Sequence, residues 1–206
     1  MGSSTTSRVP GRKDSKRDGR HLRSERSRRA CAEAMLELIR EGEPQPTAAA
    51  VAGRAGVSLR LVFHHFKDME TLMRHALELQ ASRIAPLLPV PIAPDAPLDE
   101  RLRLFVTRRA ALYDEVSPVR RAARRLEDRS PTIAEGLGRM RMLMREQLLF
   151  VFGRELSGAP ASLVHGAQAL SSWLAWESMR RHQGLTTPEA EAALEGGLRA
   201  LLSAAL

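Results

Sequence analysis

The stretch AGVSLRLVFHHFKDMET, residues 55–71, decides how this chain folds. A corner leads into a mostly apolar run, two adjacent histidines, another aromatic and a fresh helix start. Counting from Ala52, Gly56 stands four residues on, Val57 five and Val62 ten. Two helices that cross steeply approach each other only where the crossing residue is small, and Ala52 is small. The corner between them needs a residue that accepts a positive φ, which glycine does without steric cost. Thr47 and Ser58 stand where the two helices begin, placed to accept a backbone amide with their hydroxyls. Val51, Ala55, Val57 and Val62 are left to fill the wedge. All of these features in one register predict a helix-turn-helix.

Working outward, Cys31, Ala34, Met35, Leu38 and Ile39 recur at i, i+3, i+4, i+7 and i+8, one apolar stripe that stops at Gly42 and Pro44. Downstream, Asp68 opens a longer helix with Met69, Leu72, Met73 and Ala76 on one side. The run APLLPVPIAPDAPLD, residues 85–99, holds five prolines and cannot continue a helix. It reads as a connector between an N-terminal and a C-terminal region. Beyond it, helical patterns cover about 98–115, 118–128, 132–156, 160–183 and 188–205. Pro118, Pro131, Pro160 and Pro188 each stand near an expected start, where a missing amide costs least, and Gly184 closes the fourth of these helices. Aromatic residues make up only 4% of the chain, and no period-2 alternation is sustained. The fold class expected is all-α, with about nine helices.

Composition narrows the function. Of the net charge of +8, +7 lies in residues 1–30, where ten Lys or Arg face three acids. A basic arm on a near-neutral body suits a polyanion, since each Lys or Arg set against a phosphate releases a condensed counterion; a solubilising tail is the plainer reading. A single cysteine, Cys31, excludes an internal disulfide framework. No apolar run reaches the roughly 18 residues of a membrane span, and the N-terminus reads as lacking a signal peptide. A cytoplasmic protein with no membrane partner is expected.

Residues 25–80 resemble the N-terminal domain of the TetR family of bacterial transcriptional regulators. Thr47, AGRAGVS from Ala52 to Ser58 and VFHHFKDMETL from Val62 to Leu72 carry the resemblance. It implies a three-helix DNA-binding domain, a fourth linking helix and a helical-bundle regulatory domain that dimerises. On that plan residues 1–22 form a basic, disordered arm, 23–67 the helix-turn-helix domain, and 68–206 the ligand-binding and dimerisation domain. The chain departs from the family's pattern at Phe63, where tyrosine is common, and at Met69, where lysine is common. Arg60 and Leu61 are also bulkier than usual.

Contacts to double-stranded DNA are expected from ten residues. Ser58, Leu59 and Arg60 form the start of the helix that would enter a major groove. Arg60 has the two-pronged donor that fits a guanine edge, and Leu59 an apolar surface for a thymine methyl. Thr47 and Ala48, at the start of the preceding helix, would offer amides to a phosphate. His65 matches the family's phosphate-contacting histidine, with His64 and Lys67 beside it. Arg23 and Arg26 could follow the backbone or enter a minor groove.

In the C-terminal region, Phe105, Arg109, Tyr113, Met140, Met144, Phe150 and Trp173 are candidates to line a cavity for an unknown small-molecule effector, with plain core as the alternative. Arg108 and Arg109, with Tyr113 one turn on, could meet an anionic group or face solvent. Leu170, Leu174, Leu194, Leu198 and Leu201 form apolar stripes suited to an intersubunit four-helix bundle in a homodimer. The alternative is that they finish the core of one copy. Adjacent helical residues point about 100° apart, so His64 and His65 cannot comfortably share an ion. No metal or cofactor is expected, and no catalytic constellation is present, so the chain does not read as an enzyme. The expectation is a regulator, a repressor released from a palindromic operator by its effector. The alternative is a dimeric DNA-binding protein whose C-terminal domain binds a partner protein or no ligand.

Overall fold

The computed structural model describes residues 12–204, with side chains from residue 21 onward. Among the described residues there are ten α-helices, one short 3-10 turn, one π-helical segment and no strand. The fold is all-α. No helix among the described residues is long and apolar enough to cross a membrane. The chain divides into two compact units, one ending at Ala76 and the other starting at Leu77.

The first unit holds α1 (Arg12–Arg40), α2 (Ala48–Ala55), α3 (Leu59–His65) and the first half of α4 (Met69–Ile84). The stripe from Cys31 to Ile39 is buried as expected, joined by Leu36, Val51, Val62, Phe66, Leu72, Met73 and Ala76. Leu72, Met73 and Ala76 continue the core past residue 67, so the boundary between units falls inside α4 and not before it. Helix α1 begins at Arg12, ten residues before the expected end of the arm. No proline interrupts residues 11–43, and long straight-chain residues lose little rotamer freedom in a helix. Residues 1–11 lie outside the described residues.

The second unit holds the 3-10 turn Ala85–Leu87, α5 (Leu98–Arg124), α6 (Pro131–Val151), α7 (Gly153–Leu156), α8 (Ala161–Leu170), α9 (Trp173–Glu177), the π segment Ser178–His182 and α10 (Thr187–Ser203). Helix α5 packs against α10, α9 and α6, and α8 packs against α10 and α9. The proline-rich run belongs wholly to this unit: Val90 is buried, and Leu87, Leu88 and Ile92 pack on its core.

Three helix boundaries differ from expectation. The helices expected over 98–115 and 118–128 are one, because α5 runs through Pro118. An interior proline costs about 3 kcal/mol, yet Val116, Val119, Ala122 and Ala123 around it are all buried. Burying a single valine side chain stabilises by about 1.5–3 kcal/mol, so a continuous buried face outweighs the lost hydrogen bond. The helix expected over 132–156 breaks at Phe152 into α6 and α7. The one expected over 160–183 breaks at Ser171 and Ser172. There Ser171 Oγ donates to Ala167 O at 2.8 Å, and Ser172 Oγ caps α9 by accepting from Ala175 N at 3.3 Å. Serine hydroxyls compete for backbone groups in this way. Gly184, at φ 72°, does end the segment.

Two of the five expected dimerisation residues are core. Leu194 and Leu198 are 1% and 0% exposed and fill the core of a single copy. Both α5 and α8 lie against α10, so its leucine stripe already has partners within the chain. Leu170 and Leu201 are partly buried against the same core, and only Leu174 stands exposed. The face that α10 leaves open carries Ala193, Gly196 and Ala200 instead.

Candidate nucleic-acid interface and ligand cavity

The corner in the first unit is built as its sequence dictates. Gly56 sits at φ 65°, ψ 32°, in the left-handed region. Its amide donates to Gly53 O at 3.3 Å, and the Val57 amide donates to Ala52 O at 3.0 Å. This pair of bonds closes the last turn of α2 in a Schellman motif, which requires the left-handed residue at Gly56. Thr47 Oγ1 accepts from Ala50 N at 3.1 Å, and Ser58 Oγ from Leu61 N at 3.2 Å, so both caps are made. Asp68 Oδ1 accepts from Thr71 N at 2.7 Å and starts α4. Arg54 ties α2 to α1 through Glu37 at 3.4 Å and to the residue just past α1, Glu41, by a two-pronged contact at 2.8 and 2.6 Å. That contact removes Arg54 from the cations available to a ligand.

Helix α3 turns Val62 inward and leaves Ser58, Leu59, Arg60, Phe63 and His64 exposed. Leu59 and Phe63, one turn apart, are 46% and 52% exposed. Phe63 was not among the expected contacts, although an aromatic four residues after Leu59 was a legible sign of a shared face. Lys67, Thr47, Arg23 and Arg26 are exposed, and Ala48 is half-exposed in the first turn of α2.

His65 is half-buried, with Nε2 2.7 Å from Ser27 Oγ on α1. Burial holds its pKa below the ordinary histidine value, and the neighbouring charges of His64 and Arg28 push the same way. The ring is therefore neutral at pH 7. Beneath it, Arg28 donates to His75 Nε2 at 2.6 Å and lies over the Phe66 ring, 5.7 Å from its centroid. Cys31 is wholly buried, and burial pushes its thiol pKa up, so it is poorly suited to act as a nucleophile. Among the described residues no group of three His, Cys, Asp or Glu could hold a metal ion.

The second unit contains a cavity of about 680 Å³. Of the expected ligand residues, Arg109, Tyr113, Met144 and Trp173 line it. Phe105 and Met140 do not: Phe105 is core, stacked edge-on against Phe152 at 5.1 Å, and Met140 packs on that core from outside. Phe150 is 59% exposed on α6 and does not line the cavity. Near the C-terminal end of α6 the helix turns Leu148 and Val151 inward, which sends Phe150 outward. The cavity also takes Arg120, Arg124, Arg141, Arg145, His165 and Leu174, which sequence reasoning missed. Their signal was the arginine-rich composition of α5 and α6, but arginine is ordinarily a surface residue.

A polar network positions the wall. Tyr113 Oη donates to Ser171 O at 2.9 Å, at the break between α8 and α9. Trp173 Nε1 donates to Ser117 Oγ at 2.9 Å, and Ser117 Oγ donates to Tyr113 O at 2.5 Å. The serine break thus places Trp173 on the cavity, with the Arg120 guanidinium 5.0 Å from the indole centroid.

The chain matches no family profile and no curated protein. Solved structures do match it. A transcriptional regulator from Rhodococcus sp. is 20% identical over 88% of this chain and 96% of its own, with a TM-score of 0.64. A TetR-family transcriptional regulator from Streptomyces coelicolor is 24% identical over 88% of this chain and 82% of its own, with a TM-score of 0.67. The chain has the fold of these regulators.

Proposed function

We propose that the protein is a TetR-family transcriptional regulator that binds a palindromic operator as a homodimer and is released from it by a small-molecule effector. The observation that carries this reading is the outer face of α3. A capped, glycine-cornered helix exposes Leu59, Arg60, Phe63 and His64 together, a costly display for an apolar pair unless a second surface covers it. In the major groove Arg60 would donate to a guanine edge, and Leu59 and Phe63 would meet thymine methyls. Thr47 and Ala48 would hold a phosphate at the start of α2, and His65, neutral at pH 7, would donate to one as a hydrogen-bonding group without charge. Arg23, Arg26 and Lys67 add the cations.

Two copies would set their α3 helices about one DNA turn, roughly 34–36 Å, apart. The open face of α10 at Ala193, Gly196 and Ala200 is available for that pairing, and small residues let helices approach closely. The cavity in the second unit supports a small-molecule effector over a protein partner. The effector acts by linkage: a ligand that favours one arrangement lowers DNA affinity by its differential binding free energy.

The test is a gel shift with DNA from the protein's own promoter region at about 50 and 200 mM salt. A retarded complex that weakens with salt is expected. Arg60→Ala should weaken it by about tenfold to a hundredfold, the worth of one two-pronged base contact. No shift at low salt, or full affinity in Arg60→Ala, overturns the reading.

A further inference from the structure

Helix α5 carries two fully buried arginines eight residues apart, and they differ in one respect. Arg101 has a buried carboxylate: it donates from Nη1 to Glu155 Oε2 at 2.8 Å and from Nη2 to Oε1. Arg109, at 2% exposure, has none. Its bonds go to neutral acceptors, Tyr113 Oη at 3.1 Å, Met144 O at 3.2 Å and Gln147 Oε1 at 2.9 Å. Its Nε–H is buried with no acceptor among the described residues. The faces of Phe105 and Tyr113, with centroids 4.5 and 5.7 Å away, soften the cost of that cation without neutralising it. A buried charge without a counter-ion is expensive and calls for an explanation.

The explanation lies in the cavity that Arg109 lines. Arg120, on the same wall, makes no ion pair or hydrogen bond through its side chain among the described residues, and lies over Trp173. Burial lowers its pKa, and the neighbouring Glu127 charge offsets this only in part. Among the described residues Arg124 and Arg145 add charge with no ion pair, and the single acid on the lining, Glu127, is taken by Arg141 at 2.7 Å. Between these cations lie Leu137, Met144 and Trp173, an apolar surface. A volume of about 680 Å³ is that of a site for a small organic molecule.

We propose that this cavity binds an amphipathic organic anion, whose acid group pairs with Arg109 and Arg120 while its apolar body lies against Met144 and Trp173. The proposal deepens the effector reading and rests on it only for the consequence on DNA; binding itself stands apart from it. Flat aromatic acids and alkyl acids share the required chemistry, and the test separates them.

The probe is 8-anilino-1-naphthalenesulfonate, followed by fluorescence, against N-phenyl-1-naphthylamine, which has the same rings and no acid group. The wild type should bind the sulfonate at least about tenfold more tightly, the worth of hydrogen bonds to a charged group. Arg120→Met should remove that preference and leave the uncharged probe's affinity alone; Arg109→Met should do the same if it folds. Arg108→Met, off the cavity, should change neither. Displacement of the probe by 1-naphthoate and not by 1-naphthamide would assign an aromatic acid. Displacement by decanoate and not by decanol would assign an alkyl acid. Equal affinity for both probes, an equal loss for both in Arg120→Met, or displacement by the neutral compounds as well as by the acids would overturn the proposal. Selective anion binding without release of DNA would leave the cavity assignment standing and defeat the effector reading.

Discussion

Replacing Glu155 by glutamine probes the contrast between the two buried arginines directly. Arg101 holds Glu155 by both nitrogens and donates in addition to Val151 O at 2.7 Å and, through Nε, to Ala96 O at 2.8 Å. Glutamine keeps the shape but sets an amide NH2 against the guanidinium and removes the only counter-ion. Breaking one side of a buried pair costs about 3–5 kcal/mol, far more than the pair itself is worth against apolar substitutes. In a unit of this size 1 kcal/mol moves the melting temperature by roughly 3–5 °C, so a drop of about 10 °C or more is expected. Both tryptophans, Trp173 and Trp176, lie in the second unit, so urea unfolding followed by their fluorescence reads that unit alone. A pH series adds a second signature. Hydrogen bonding from Arg101 holds the Glu155 carboxyl below the usual carboxylate range. The stabilisation is complete above the unfolded carboxylate pKa of about 4.3 and is lost as pH falls below it. The wild type should therefore lose stability in acid more steeply than Glu155→Gln. A loss under about 1 kcal/mol at pH 7, or parallel acid profiles, would refute the assignment of this pair as a closed structural clamp.

Other outcomes are expected from single changes. Gly56→Ala meets nothing within 4 Å but must hold φ 65°, so it should cost the first unit about 1–2 kcal/mol in thermal unfolding followed by circular dichroism. Gly53→Ala, inside α2, has open space and should stabilise by about 0.4–1 kcal/mol. Gly197→Ala would bring a Cβ within 2.6 Å of Leu170 Cδ2, so it should lose that gain and fall below the wild type in the same melt. Deleting residues 1–22 removes six Lys or Arg; if they contact phosphates, the salt slope of DNA binding should flatten by up to roughly 0.9 per contact.

Local chemistry made the first unit readable. Gly56, Thr47, Ser58 and Ala52 act on backbone within a few residues of themselves, so their spacing alone specified α2, the corner and α3. The stripe on α1 was equally plain because a helix repeats its faces regularly. Phe63 escaped because its exposure follows from what Val62 buries, not from its own type.

The second unit was legible as helices and little more. Whether Pro118 breaks α5 depended on the buried residues flanking it, and whether Leu194 and Leu198 face a partner depended on α5 and α8 lying across them. The cavity depended on the same long-range packing: Arg109 and Arg120 on α5 stand far in sequence from Trp173 on α9, joined to it at one wall by Tyr113 and the serine break. Caps and turns are contacts between near neighbours and can be counted along the chain. Burial, charge pairing and cavities are contacts between strangers in sequence, and tertiary packing alone selects them.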